Sequence, residues 1–151
     1  MNFKPPMNIA KRDQKIPTVF LAGTIEMGNS VNWQKDLSEY FSMNGWNVFN
    51  PRRDDWDLSW AQNFESSQFY QQVNWELDAL EKADLIIMYL DPTSKSPISL
   101  LEFGLYAKSN KLVMICPDGF YRKGNIDIVC NRYNVQIFDD IDSFKSKYIL
   151  N

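Results

Sequence analysis

Histidine is absent from the 151-residue chain, and cysteine occurs only twice, at Cys116 and Cys130. Without histidine there is no Ser-His-Asp triad and no Cys-His pair, and two separated cysteines lack metal-ligand spacing. Basic runs are also missing. Lys11-Arg12 and Arg52-Arg53 are pairs, and the net charge is −3 with a pI of about 4.9. Tracking a phosphate backbone needs more positive charge than this, so no nucleic-acid polymer is expected as a partner. No apolar stretch reaches the ~20 residues of a membrane span. Residues 1–15 are polar with two prolines and do not read as a signal peptide. The expectation is a reduced, cytoplasmic protein away from any membrane, with no metal and no cofactor. Catalysis would then fall to carboxylates, hydroxyls, amides or aromatic groups.

A hydrophobic content of 44%, with 15% aromatic residues, is enough for one domain with a real core. Residues 1–16 read as a polar N-terminal extension and 17–151 as an α/β domain. Short apolar runs at residues 17–22, 46–49, 85–90 and 112–116 predict strands, with a weaker one at 135–138. Helical spacing fills residues 31–43, the stripe Phe69, Val73, Leu77 and Leu80, the stretch 97–108, and a terminal helix from about Asp140. Alternation of strand and helix predicts a single-domain, flavodoxin-like or Rossmann-like fold with helices on both faces. Its parallel sheet would have five strands in the order 2-1-3-4-5. Ligands of such sheets bind outside the carboxyl ends of the strands, which nominates residues 23–28, 50–57, 91–99 and 117–127.

Two carboxylates stand in apolar company. The helix from Pro97 carries Ile98, Leu100, Leu101, Phe103, Leu105 and Tyr106, so it should be largely buried, and Glu102 lies among them. A buried carboxylate is costly unless hydrogen-bonded or neutralised. The structural reading is a capping box, with Ser99 as N-cap and Glu102 three residues on. Pro97 prefers the first helical position, which would make Ser96 the cap instead. Glu76 lies about 60° round its helix from Val73, away from Asp78, Glu81 and Lys82. It reads either as a snorkelling stripe-edge residue or as a working acid. A pair of carboxylates in unequal surroundings suits glycosyl chemistry, where one attacks or stabilises the anomeric carbon and the other moves a proton.

Five segments in order then carry a resemblance: Val19-Phe-Leu-Ala-Gly-Thr-Ile-Glu-Met-Gly28, Asn50-Pro-Arg-Arg-Asp54, Asn74-Trp-Glu-Leu-Asp-Ala-Leu80 with Ala83-Asp84, Ser96-Pro-Ile-Ser-Leu-Leu-Glu-Phe-Gly104, and Cys116-Pro-Asp-Gly-Phe-Tyr-Arg-Lys-Gly-Asn125. Over residues 17–138 the chain resembles the nucleoside 2-deoxyribosyltransferase-like family. The resemblance implies cleavage or transfer of an N-glycosidic bond, with Glu102 attacking C1′ to form a glycosyl-enzyme that a base or water resolves. It implies an acid at Glu76 that meets the base, where classical transferases carry Asp. Gly23, Thr24 and Ile25 would line the sugar or base. Ser96 stands where classical transferases carry an acid and related nucleotide hydrolases a phosphate-binding Ser. With Ser99 and the helix N-terminus it would hold a 5′-phosphate, unless it merely caps the helix. Asn125 lies near a position that reaches a neighbouring subunit's sugar in relatives, which implies a homo-oligomer, dimer or higher, with shared active sites. The implied partner is a small nucleoside or nucleotide.

Other candidates carry two readings each. Arg52 and Arg53 suit a phosphate or a solvated loop surface. Asp54 and Asp57 suit a base edge or a turn after Pro51. Trp56, Trp60 and Trp75 suit base stacking, with subunit packing as the rival for Trp75. Tyr106 and Tyr121 read as core and loop. Against the enzyme stand two other functions: a nucleotide-sensing module without chemistry, and a NAD-cleaving domain of related topology.

Overall fold

The computed structural model describes residues 1–25, 32–53, 55 and 57–150. Within them the chain runs β1 (Asn2–Phe3), a 3-10 turn (Ile9–Lys11), β2 (Thr18–Gly23), α1 (Trp33–Met43), β3 (Asn47–Phe49), α2 (Ser67–Lys82), β4 (Leu85–Tyr89), α3 (Pro97–Tyr106), β5 (Leu112–Ile115), α4 (Lys123–Tyr133), β6 (Gln136–Phe138) and α5 (Ile141–Lys147). The strand order is β1-β3-β2-β4-β5-β6. β1 with β3, β3 with β2, β4 with β5, and β5 with β6 all pair in parallel. The α/β class and the order of the five expected strands hold. The sheet nevertheless has six strands, because β1 joins its edge through Asn2↔Val48 and Phe3↔Phe49. Two residues are too few to show a period, so the stretch read as a polar extension concealed a strand.

Two compact units share β2: Met1–Leu21 with Ile25–Leu85, and Ala22–Thr24 with Ile86–Asn151. The first unit buries Phe3, Val19, Phe20, Leu21, Leu37, Phe41, Val48 and Phe49. There β2 meets the start of β4, where the Thr18 amide donates to the Asp84 carboxylate and the Asp84 amide to the Thr18 carbonyl, both at 2.8 Å. In the second unit Ile86, Ile87, Met88, Met114 and Ile115 have no exposed surface. Strands covered on both faces are near-continuous aliphatic runs, as these are.

The helices start and stop on local chemistry. Asn32 accepts from the Lys35 amide at the head of α1, and Asp140 and Ser143 form a reciprocal capping box on α5. α4 was not expected from the sequence. Its apolar stripe is broken by Gly124, Asn125 and Asp127, and it ends at Asn134 in the left-handed region, φ 56°.

Two expected faces need correction. The buried side of α2 runs through Gln72, Trp75, Ala79 and Leu80, while Leu77 is exposed. Trp75 anchors this face, with its indole donating to the Met7 carbonyl at 2.8 Å and its ring edge-on to Phe49. It is therefore a core residue of its own chain, neither a base platform nor a subunit contact. The largest apolar group, not the aliphatic spacing, set the rotation of the helix. On α3, Ile98, Leu101 and Leu105 are 62%, 60% and 58% exposed, so this helix is not buried all round.

Gly23 has φ +129°, and a Cβ built there would lie 2.0 Å from the Tyr89 carbonyl oxygen. Gly23→Ala should therefore cost roughly 3 kcal/mol or more in urea unfolding; a variant as stable as the parent would remove the close approach.

Candidate active site

In the second unit the site begins at the end of β2. The Thr24 amide donates to the Tyr89 carbonyl at 3.0 Å, which turns the Thr24 side chain toward the loop after β4. Its hydroxyl accepts from the Asp91 amide at 3.0 Å and lies 2.5 Å from the Ser96 hydroxyl. Ser96 in turn lies 3.0 Å from the Ser94 hydroxyl and donates its amide there at 3.1 Å. Three buried hydroxyls are thus joined by two contacts. Each contact uses one hydroxyl proton, leaving the third to be donated outside the trio.

This network holds Ser96 at φ 47°, ψ 53°, in the left-handed region, which costs a non-glycine residue roughly 1–3 kcal/mol. Ser96 is the N-cap of α3 and Pro97 its first helical residue, as the proline preference predicts. The Ser96 side chain makes no capping bond to the helix. Its hydroxyl is committed to Thr24 and Ser94 instead. Because α3 starts at Pro97, Glu102 falls in the second turn, and the Ser99–Glu102 capping box does not form. Glu102 is nevertheless only 7% exposed, and Ser99 is buried with it. Asn125 sits in the first turn of α4 and is exposed.

The first unit holds Glu76 and Ile25. Glu76 lies beside the buried face of α2 and keeps partial exposure as a residue. Enough protein packs around its carboxyl to push its pKa up to about 7, with the Gln72 hydrogen bond pulling the other way. Gln72, one turn earlier, donates the same amide nitrogen to Glu76 Oε1 at 2.5 Å and to the Pro51 carbonyl at 3.1 Å. Sequence reasoning missed Gln72. The signal was its i,i+4 spacing to Glu76 on one helix.

The loop after β3 departs from expectation as well. Arg52 is buried, and Arg53 is fork-bonded to Asp55 at 2.9 Å while its guanidinium covers the Trp60 ring at 5.0 Å. Neither arginine is a solvated loop cation. The Asp57 side chain accepts from the Ser59 amide, the turn role. Asp54 and Trp56, and residues 26–28 of the first motif, lie outside the described residues. Both cysteines are buried and free, and burial pushes their thiols up to about 11 for Cys116 and about 12 for Cys130. Thiolate chemistry is therefore remote at neutral pH. Among the described residues, no helix is long and apolar enough to cross a membrane.

A family model described as nucleoside 2-deoxyribosyltransferase like matches residues 16–120. No curated protein matches the chain.

The Glu76 shift gives a signed pH dependence. Below pH 4.5 the carboxyl is protonated both folded and unfolded. From pH 4.5 to about 7 the folded chain retains a proton that the unfolded chain has released, so stability falls as pH rises. The loss should total up to about 3 kcal/mol above pH 7. Glu76→Gln keeps an oxygen for Gln72 and should flatten this part of the profile, which urea unfolding at pH 5 and pH 8 would measure. An unchanged slope in the variant removes Glu76 as its source.

Proposed function

The chain belongs to the nucleoside 2-deoxyribosyltransferase like family, a family of glycosyl-transfer enzymes, and we propose that it cleaves or transfers the N-glycosidic bond of a nucleoside or 5′-nucleotide through a glycosyl-enzyme on Glu102. The observation that carries this reading is the position of Glu102. It is a buried carboxylate in the second turn of α3, too far along the helix to serve the cap. Burying a carboxylate is unfavourable, and a nucleophile that must attack a sugar carbon gains from the loss of its water shell.

The chemistry balances with two carboxyl groups. The Glu102 carboxylate bonds to C1′ as the C1′–N bond breaks, and the electron pair leaves with the base. That base needs a proton, and Glu76 is suited to supply it because burial keeps it protonated up to about pH 7. A second base, or water, then bonds to C1′ and frees Glu102. Gly23 and Thr24 line the sugar or base in this reading, with Ile25 and Asp54 beside the base, and Ser96 and Ser99 take a 5′-phosphate where one is present. The bare aliphatic row Ile98, Leu101 and Leu105, together with the exposed Asn125, supports a homo-oligomer with shared sites. A cytoplasmic setting suits two free thiols.

The test is a panel of deoxyribonucleosides, ribonucleosides, their 5′-phosphates and NAD, each with and without an acceptor base. Base release is expected from at least one nucleoside or nucleotide, and a pentosyl adduct on the Glu102 peptide in trapped protein. If no panel member loses its base, the enzyme reading fails and a nucleotide-binding module takes its place; nicotinamide release alone would make it a NAD-cleaving enzyme. Glu102→Ala should lower turnover by roughly a thousandfold or more with the fold intact, and a variant close to full activity rules Glu102 out as nucleophile.

A further inference from the structure

Where β1 and β3 end, a polar cleft opens against the first two turns of α1. Its volume is about 210 Å³, the space of roughly seven waters. Asn2 and Lys4 line it at β1, and Asn50 at the end of β3. Asn32, Lys35, Ser38 and Glu39 line it from α1, and every one of these residues belongs to the first unit. All seven lining side chains are polar or charged, so an aromatic base has no apolar wall to stack on.

Two of the lining side chains are buried donors with protons to spare. Ser38 is 5% exposed and Asn50 3%. The Asn50 oxygen accepts from the Arg52 amide at 3.0 Å. Its nitrogen reaches the Ser38 hydroxyl at 3.5 Å, the outer limit of a hydrogen bond. That contact uses one of the two amide protons and leaves the hydroxyl proton untouched. Neither remaining proton meets an acceptor among the described residues. Unlike a polar atom sealed into the core, both groups front a cavity, so a ligand oxygen can reach them.

The charge around the cleft says what kind of oxygen. Lys35 is exposed and makes no ion pair among the described residues, and Lys4 is half-buried on the β1 side. Glu39 is the one acid, and it does not pair with Lys35 although it lies one turn further on. Asn32 gives its oxygen to the Lys35 amide at 3.2 Å and keeps its amide nitrogen free. The positive end of the α1 dipole points the same way. Spare donors, two cations against one anion and a helix head together favour a compact oxyanion. The volume suits a phosphate group with a few waters and is too small for a whole nucleoside.

We propose that this cleft binds a phosphate group, with Ser38 and Asn50 donating to its oxygens and Lys35 and Lys4 balancing its charge. The site uses none of the groups assigned to the glycosidic chemistry. It adjoins them through one peptide, since Pro51 follows Asn50 and its carbonyl accepts from Gln72. The group arrives either as inorganic phosphate or on a nucleotide, and both present the same oxygens.

Binding to the whole protein tests the proposal without any turnover. The readout is the saturable shift of the Asn32 and Asn50 side-chain amide signals in nitrogen-correlated NMR as inorganic phosphate is added at low salt. Ser38→Ala should weaken phosphate binding about tenfold or more, and Lys35→Glu about fivefold or more. Lys147→Glu makes the same charge change on exposed α5 and should alter it less than about twofold. No saturable shift of these two signals up to about 10 mM phosphate overturns the proposal. So does equal weakening by Lys147→Glu, which is the mark of general charge attraction. Should Ser38→Ala not fold, Lys35→Glu at its exposed position still decides. Adenosine 5′-monophosphate that displaces inorganic phosphate, where adenosine does not, makes a nucleotide the source; a nucleotide that fails to displace it leaves the free ion, and either result supports the site.

Discussion

Where β2 ends, Gly23 brings its Cα against the backbone of Tyr89, closer than any side chain would permit. That approach lets the Thr24 amide reach the Tyr89 carbonyl and sets the Thr24 hydroxyl where it meets both the Asp91 amide and Ser96. Ser96 is then held in the left-handed region, from which Pro97 starts α3. The start of the helix decides which turn carries Glu102. A single missing Cβ therefore propagates through one threonine and two serines to the position of a carboxylate. Strain of this kind persists only where surroundings over-determine it, and here the surroundings are backbone amides and hydroxyls.

The first unit solves a different problem, that of a carboxyl placed where water is scarce. Desolvation raises the Glu76 pKa and the hydrogen bond from Gln72 opposes it, and desolvation wins. The reason is that one neutral donor restores only part of the hydration that burial removes. The result is a group near its midpoint at neutral pH, the condition under which an acid is most useful. Gln72 completes the arrangement by locking one end of its amide to the Pro51 carbonyl.

Much of the fold was legible because burial on both faces writes itself into a strand as an unbroken aliphatic run. The runs at residues 17–22, 85–90 and 112–116 each hold a strand, in the expected order. β1 was not legible, since two residues carry no period, and α4 was hidden by polar residues on its stripe. At the site, Glu102 announced itself as a charge in an apolar helix, and Pro97 foretold the helix start. Glu76 was placed at the edge of a stripe because its helix was read by its aliphatics, while packing of Trp75 against Phe49 and Met7 turned a different side inward.

By itself, then, the sequence determined the α/β class, the strand order, the family and the two carboxylates that stand out of place. The class, the strands and the carboxylates follow from local composition and spacing, and the family from the likeness of its ordered motifs. Only the tertiary structure decided that Ser96 spends its hydroxyl on Thr24 and Ser94, that Arg53 is taken up by Asp55 and Trp60, and that Gln72 holds Glu76 with one amide oxygen left unfilled. Each of these depends on partners brought together by rotation of a helix or the turn of a loop. No periodicity records which hydrogen-bonding group a buried side chain will meet.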